Sequence, residues 1–131
     1  MNKTITLLQA PLILALLLNS ASVWAYGSGG GTASCAEAKF YDESPVRNSE
    51  LKSVSEIALV ASDNTEISSL ELNVNGNPVK PETTQRRSGE WDLKVKLSQP
   101  ITQPGKVRVT VAAKSKEGCS TFFPYFLVVK P

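Results

Sequence analysis

The sequence predicts an all-β protein, a single sandwich of two antiparallel sheets, placed behind a cleavable export signal. Three observations carry this reading. Apolar residues recur at every second position in several separate segments. Clusters of Gly, Pro, Asn and Asp divide those segments as turns do. After the first 25 residues, no stretch sustains the apolar spacing of a helix. Strands recurring about every 10 to 15 residues, each with one oily face, suit two sheets packed face to face.

The first element is not part of the fold. Lys3 gives a short positive start, and residues 5–18 are apolar apart from Thr6 and Gln9. Asn19-Ser20-Ala21-Ser22 and Val23-Trp24-Ala25 close the segment with small and polar residues. This layout is that of a secretory signal peptide cleaved after Ala25. A permanent anchor would need a longer apolar run, roughly 20 residues. Lipidation at Cys35 is set aside, because Thr32-Ala33-Ser34-Cys35 lacks a large apolar residue three places before the cysteine. Residues 26–34, YGSGGGTAS, read as a flexible Gly/Ser-rich leader, and residues 35–131 as the domain. The expected location is periplasmic or extracellular, with no membrane span left after cleavage.

Charge excludes some functions. The chain has 14 basic and 12 acidic residues, and residues 1–25 hold one lysine and no acid, so the processed form carries a formal +1. That balance does not ask for nucleic acid or an anionic membrane. Cys35 and Cys119 are the two cysteines of an exported chain, for which a disulfide is the default state.

The elements follow in order. Residues 35–41 form a first strand with Ala36, Ala38 and Phe40 on one face, closed by a turn at Asp42-Glu43-Ser44-Pro45. Residues 55–61 place Ile57, Leu59 and Ala61 inward, and Ser62 to Glu66 is a loop. Residues 69–74 alternate Leu70, Leu72 and Val74 against Glu71 and Asn73. Asn75-Gly76 tolerates positive φ at both central positions and so builds a tight hairpin. Pro78 and Pro81 restrict the return to an edge piece around Val79, and residues 82–88 read as a polar loop. Residues 90–97 turn Trp91, Leu93, Val95 and Leu97 inward; residues 106–113 do the same with Val107, Val109, Val111 and Ala113. Residues 121–129 form the last of about seven strands and are apolar on both faces.

Three segments resemble bacterial immunoglobulin-like (fibronectin III-like) domains. They are Leu70 to Val79 with its Asn75-Gly76 turn, Ser88 to Val95 around Trp91, and Gly105 to Ala113. The resemblance spans nearly all of residues 35–131 and implies an immunoglobulin-like sandwich. It implies no particular function, since such folds host many. In such a sandwich Cys35, opening the first strand, and Cys119, just past the Lys116-Glu117-Gly118 turn, fall at one pole, where a bridge can form.

Catalysis finds little to work with. General acid–base and nucleophilic chemistry favours His, a free Cys or converging carboxylates, and this chain has no His. Ser115 with Lys114 or Lys116 reads as the solvated surface of a tight turn. Once residues 1–25 are removed no methionine remains, so copper or zinc lacks soft ligands, and no metal or other cofactor is expected. Asp63, Asn64 and Glu66 offer calcium hard oxygens, but Asp and Asn also simply favour turns.

The last strand carries the functional expectation. Phe122, Phe126 and Val128 cannot share a face with Phe123, Tyr125 and Leu127, so one set needs cover from outside the core. The cover is either the first strand with the leader, or a partner protein of the cell envelope. The candidate partner surface is Phe122, Phe126, Val128 and Tyr41. The expected function is therefore a non-enzymatic exported module acting through protein contacts, as a monomer or weak dimer. The alternative is a carbohydrate-binding or accessory module, for which Trp91, Tyr41 and Tyr125 would have to supply the platform.

Overall fold

The structure, a computed structural model, describes residues 34–131. The expected signal peptide and all but the last residue of the expected leader lie outside the described residues.

Cys35–Pro131 form one compact unit. Nine strands build it: β1 (Phe40–Ser44), β2 (Glu50–Leu51), β3 (Val54–Ala61), β4 (Thr65–Val74), β5 (Asn77–Val79), β6 (Glu82–Gln85), β7 (Trp91–Ile101), β8 (Gly105–Ser115) and β9 (Ser120–Val129). One sheet runs β1-β3-β7-β6 and the other β2-β9-β8-β4-β5. Every pairing is antiparallel except β2 with β9, a two-residue parallel pair. The two-sheet, all-β expectation therefore stands, with one parallel exception at an edge.

The core lies where the alternating residues meet. Ile57 and Leu59 of β3, Leu93 and Val95 of β7, Val107, Val109 and Val111 of β8, and Leu127 and Val129 of β9 are each at most 2 % exposed. Burying a side chain of this size contributes about 1.5–3 kcal/mol, so this oily layer is the main source of stability.

The strand count and several boundaries correct the sequence reading. Residues 34–39 are not strand; β1 starts at Phe40 and takes in Asp42, Glu43 and Ser44, expected as a turn. Asp42 adopts φ 55°, and the β1–β3 register shifts between Tyr41 and Ser44, so the strand is bulged where turn residues cluster. Residues 82–85, expected as loop, pair with β7 as β6. All four are exposed, so no apolar alternation marks them. The Asn75-Gly76 hairpin is present, with φ of 51° and 81°, the left-handed pair that matches strand twist.

The disulfide joins Cys35 to Cys119 with Cα atoms 6.0 Å apart. Gly118, at φ 91°, makes the β8–β9 turn that presents Cys119. The bridge ties the irregular start of the domain to that hairpin, and Ala36 N–H donates to the Glu117 carboxylate (3.0 Å) beside it.

Candidate functional site

β9 decides its own orientation by register. It pairs with β8 from Lys114↔Ser120 to Gly105↔Val129, which sets Tyr125 opposite Val109 and Leu127 opposite Val107. Tyr125, Leu127 and Val129 thus share the buried face of β8, and Phe123 packs half-buried against the same core. Phe122, Phe126 and Val128 necessarily point the other way. Phe122 is 60 % exposed and Phe126 37 %, while Val128 is half-buried.

A further exposed apolar residue lies in the chain after β1. Asn48 N–H donates to the Phe126 carbonyl (2.6 Å) and Val128 N–H to the Ser49 carbonyl (2.9 Å), so the segment leading into β2 lies along β9. Val46 in that segment is 63 % exposed. Among the described residues, the large apolar side chains left in solvent are Val46, Phe122 and Phe126, all on β9 or the loop bound to it.

Cations border the apolar ridge. Arg108 is the register partner of Phe126 and Lys106 that of Val128. The Lys106 ammonium lies 5.4 Å from the Phe126 ring centre, within cation–π range. Among the described residues neither Lys106 nor Arg108 makes a salt bridge. Two other cations by this sheet have an acid nearby: Lys130 pairs with Glu50 at 3.2 Å, and Lys114 stands opposite Glu66. Glu71 stands opposite Ala112, away from Lys106.

Three of the four residues expected to form a partner surface therefore come together, and Tyr41 does not. Tyr41 belongs to β1 in the other sheet, and its hydroxyl donates to the Glu90 carboxylate. Nor does the first strand cover the Phe122 face, because β1 is an edge of the four-stranded sheet.

The remaining candidates are used structurally. Asn64 accepts from the Ser62 hydroxyl (2.5 Å) and donates to the Glu37 carbonyl (3.1 Å), fastening residues 36–39 to the β3–β4 turn. The Glu66 carboxylate accepts from the Ser68 hydroxyl (3.0 Å). Ser115 is buried, and its hydroxyl accepts from Cys119 N–H (3.1 Å), which removes it from any pairing with lysine. Among the described residues, the group of metal-type donors that does converge is Cys35, Glu117 and Cys119, and its sulfurs are bonded to each other.

Sequence reasoning missed a groove on the outer face of the four-stranded sheet. Ala58 and Val60 floor it; Asp42, Glu82, Arg86, Asp92 and Lys94 rim it. Val60 points outward yet is 4 % exposed, and an apolar residue breaking the alternation of Ile57-Ala58-Leu59-Val60-Ala61 was the available signal. Arg86 clamps Asp92 with contacts of 2.6 to 3.1 Å, and that hydrogen bonding holds the carboxyl below its ordinary value. Both signs of charge on the rim are paired or adjacent, so the groove has no strong preference for one ligand charge.

No protein-family model matches the chain, and no curated protein matches it either. Solved structures are similar in fold. CopC from Methylosinus trichosporium OB3b is 18% identical, over 72% of this chain and 94% of its own, with a TM-score of 0.53. PcoC, a methionine-rich copper resistance protein from Escherichia coli, is 19% identical, over 72% of this chain and 100% of its own, with a TM-score of 0.52. Its selenomethionine form is 17% identical with a TM-score of 0.50. At these identities the likeness establishes the β-sandwich, while the finer immunoglobulin or fibronectin III assignment rests on the sequence resemblance alone. The aromatics named for the carbohydrate-binding alternative do not form a platform. Trp91 is half-buried against the core, Tyr125 is buried and Tyr41 is bonded to Glu90, so these three rings do not make a platform.

Proposed function

We propose that the chain is a non-enzymatic exported module, released by signal cleavage near Ala25, that docks a partner protein of the cell envelope. The docking surface is the outer face of the five-stranded sheet. The observation that carries this reading is the exposure of Phe122 and Phe126 on one face of β9, with Val46 exposed in the loop that leads to the segment bound along that strand. Scattered exposed apolar residues need no explanation; two exposed phenylalanines on one strand face beside unpaired cations do.

The fold neighbours raise copper as a second reading, and the residues do not fit it. One neighbour is called methionine rich. The sole methionine of this chain is Met1, and histidine is absent. The converging Cys35, Glu117 and Cys119 cluster is closed by its disulfide. Soft copper sites take thiolate, thioether or imidazole ligands, so this sandwich does not hold copper by those means.

The test is capture from the producing organism's envelope fraction with the processed protein as bait, wild type against Phe126→Asp. A specific protein retained by wild type and lost by the folded variant is the expected result. Identical capture by both would remove the docking face.

A further inference from the structure

We infer that the partner segment is acidic as well as apolar: a stretch of protein that sets carboxylates over Lys106 and Arg108 while an apolar side chain rests on Phe126 and Phe122. The inference rests on the docking face just proposed and names the chemistry of what it takes.

Charge complementarity carries it. Lys106 and Arg108 are exposed and adjacent on β8, they flank Phe126 and Val128, and among the described residues no acid pairs with them. Two other lysines by this sheet have an acid nearby, Lys130 with Glu50 and Lys114 with Glu66. Glu71, the acid of this face that makes no salt bridge among the described residues, stands opposite Ala112 at the Phe122 end, so the uncompensated cations sit at the Phe126–Val128 end, and that is where the partner's carboxylates fall. A second copy of this chain would bring the same two cations against them, and like charges facing one another across an interface select against that pairing. Anionic lipid is a poorer fit, because surface recruitment uses clusters of about 4 to 8 basic residues.

The mode is docking on the face, not extension of the sheet. Residues 48–51 already occupy one half of the outer edge of β9, through Asn48, Ser49 and Leu51. In the other half Pro124 has no N–H to give an added strand.

The experiment uses the processed chain and two fluorescent probes, an extended peptide alternating glutamate with leucine and its counterpart alternating lysine with leucine. Anisotropy is read at low salt and at physiological salt, where screening shortens the reach of charge to about 8 Å. The glutamate probe should bind about tenfold more tightly than the lysine probe, with the preference narrowing as salt rises. Lys106→Glu with Arg108→Glu should reverse the preference, Lys106→Gln with Arg108→Gln should abolish it, and Phe126→Asp should lose both probes. Equal affinities, no binding of either probe, an unchanged preference in the charge variants, or binding only to vesicles of phosphatidylethanolamine with phosphatidylglycerol would each overturn the inference. The envelope capture separates the two levels. Loss with Phe126→Asp but not with the folded charge-reversed variant sinks the acidic partner and keeps the docking face; no loss with either sinks both.

Discussion

The Lys106 ammonium stands 5.4 Å from the centre of the Phe126 ring, across the β8–β9 boundary. The pair is open to solvent, so it organises the surface more than it stabilises the fold. Cation–π contacts at exposed sites are worth about 0.5–1 kcal/mol. A double-mutant cycle with Lys106→Ala and Phe126→Ala, followed by urea unfolding, should give a coupling energy of about 0.5 kcal/mol. A coupling near zero would mean that the lysine is free to reach a partner without first leaving the ring.

Leu127 and Val128 are neighbours with opposite fates. Leu127 is 0 % exposed, and Val128 is half-buried on the outer face. Leu127→Ala should cost about 2–5 kcal/mol through lost burial and a cavity. Val128→Ala should cost well under half of that, about 1 kcal/mol or less, since its site opens toward solvent. Equal losses in denaturant midpoint would contradict the assignment of faces along β9.

Tyr125 presents a hydroxyl with no hydrogen-bond partner among the described residues, in a side chain only 3 % exposed. Burial, and next the neighbouring Glu43 charge, push its ionisation above the ordinary 10.0. The sign follows from linkage. A raised pKa favours the protonated folded form, so the stability it reflects is intact below pH 10.0 and drains away as pH climbs past that value. Tyr125→Phe should remove an unpaired buried polar group and leave the protein as stable or more stable, by up to about 1 kcal/mol. It should also blunt unfolding above pH 10.0. Thermal melts at neutral and alkaline pH, wild type beside variant, check both; a loss of several °C at neutral pH would show that the hydroxyl has a partner after all.

The Cys35–Cys119 bridge closes a long loop, from one end of the domain nearly to the other. Replacing both cysteines with serine should cost roughly 2–5 kcal/mol in unfolding free energy. With the bridge intact, cuprous or zinc ion should leave the melting temperature unchanged, because the sulfurs of the Cys35, Glu117 and Cys119 group are not available as thiolates. A metal-dependent rise in the oxidised protein would reopen the copper reading.

Much of the sandwich was legible because the inner residues of β7 and β8 obey period two. Spacing alone predicts Val107, Val109, Val111 and Ala113 inward, and all four are buried. The hairpin at Asn75-Gly76 was legible because few residue pairs tolerate its backbone. β6 was not, since Glu82-Thr83-Thr84-Gln85 gains its place by pairing with β7 and buries nothing. β1 was displaced because Asp42-Glu43-Ser44-Pro45 has turn chemistry and is held as a bulged strand by β3. The docking face was half legible. Two apolar sets on β9 announce a surplus, but which set faces out depends on register with β8, and Tyr41 lies in the other sheet, a placement that depends on pairing and not on local pattern.

The segment from Asn48 to Leu51, laid along half of the outer edge of β9, has a consequence for life at high concentration. Bare strand edges invite identical molecules to zip together into fibres. Here one half of that edge is occupied and the other contains Pro124. The molecule can therefore hold Phe122 and Phe126 out to water, as a sticky display must, while denying its own copies a backbone ladder along the strand that carries them.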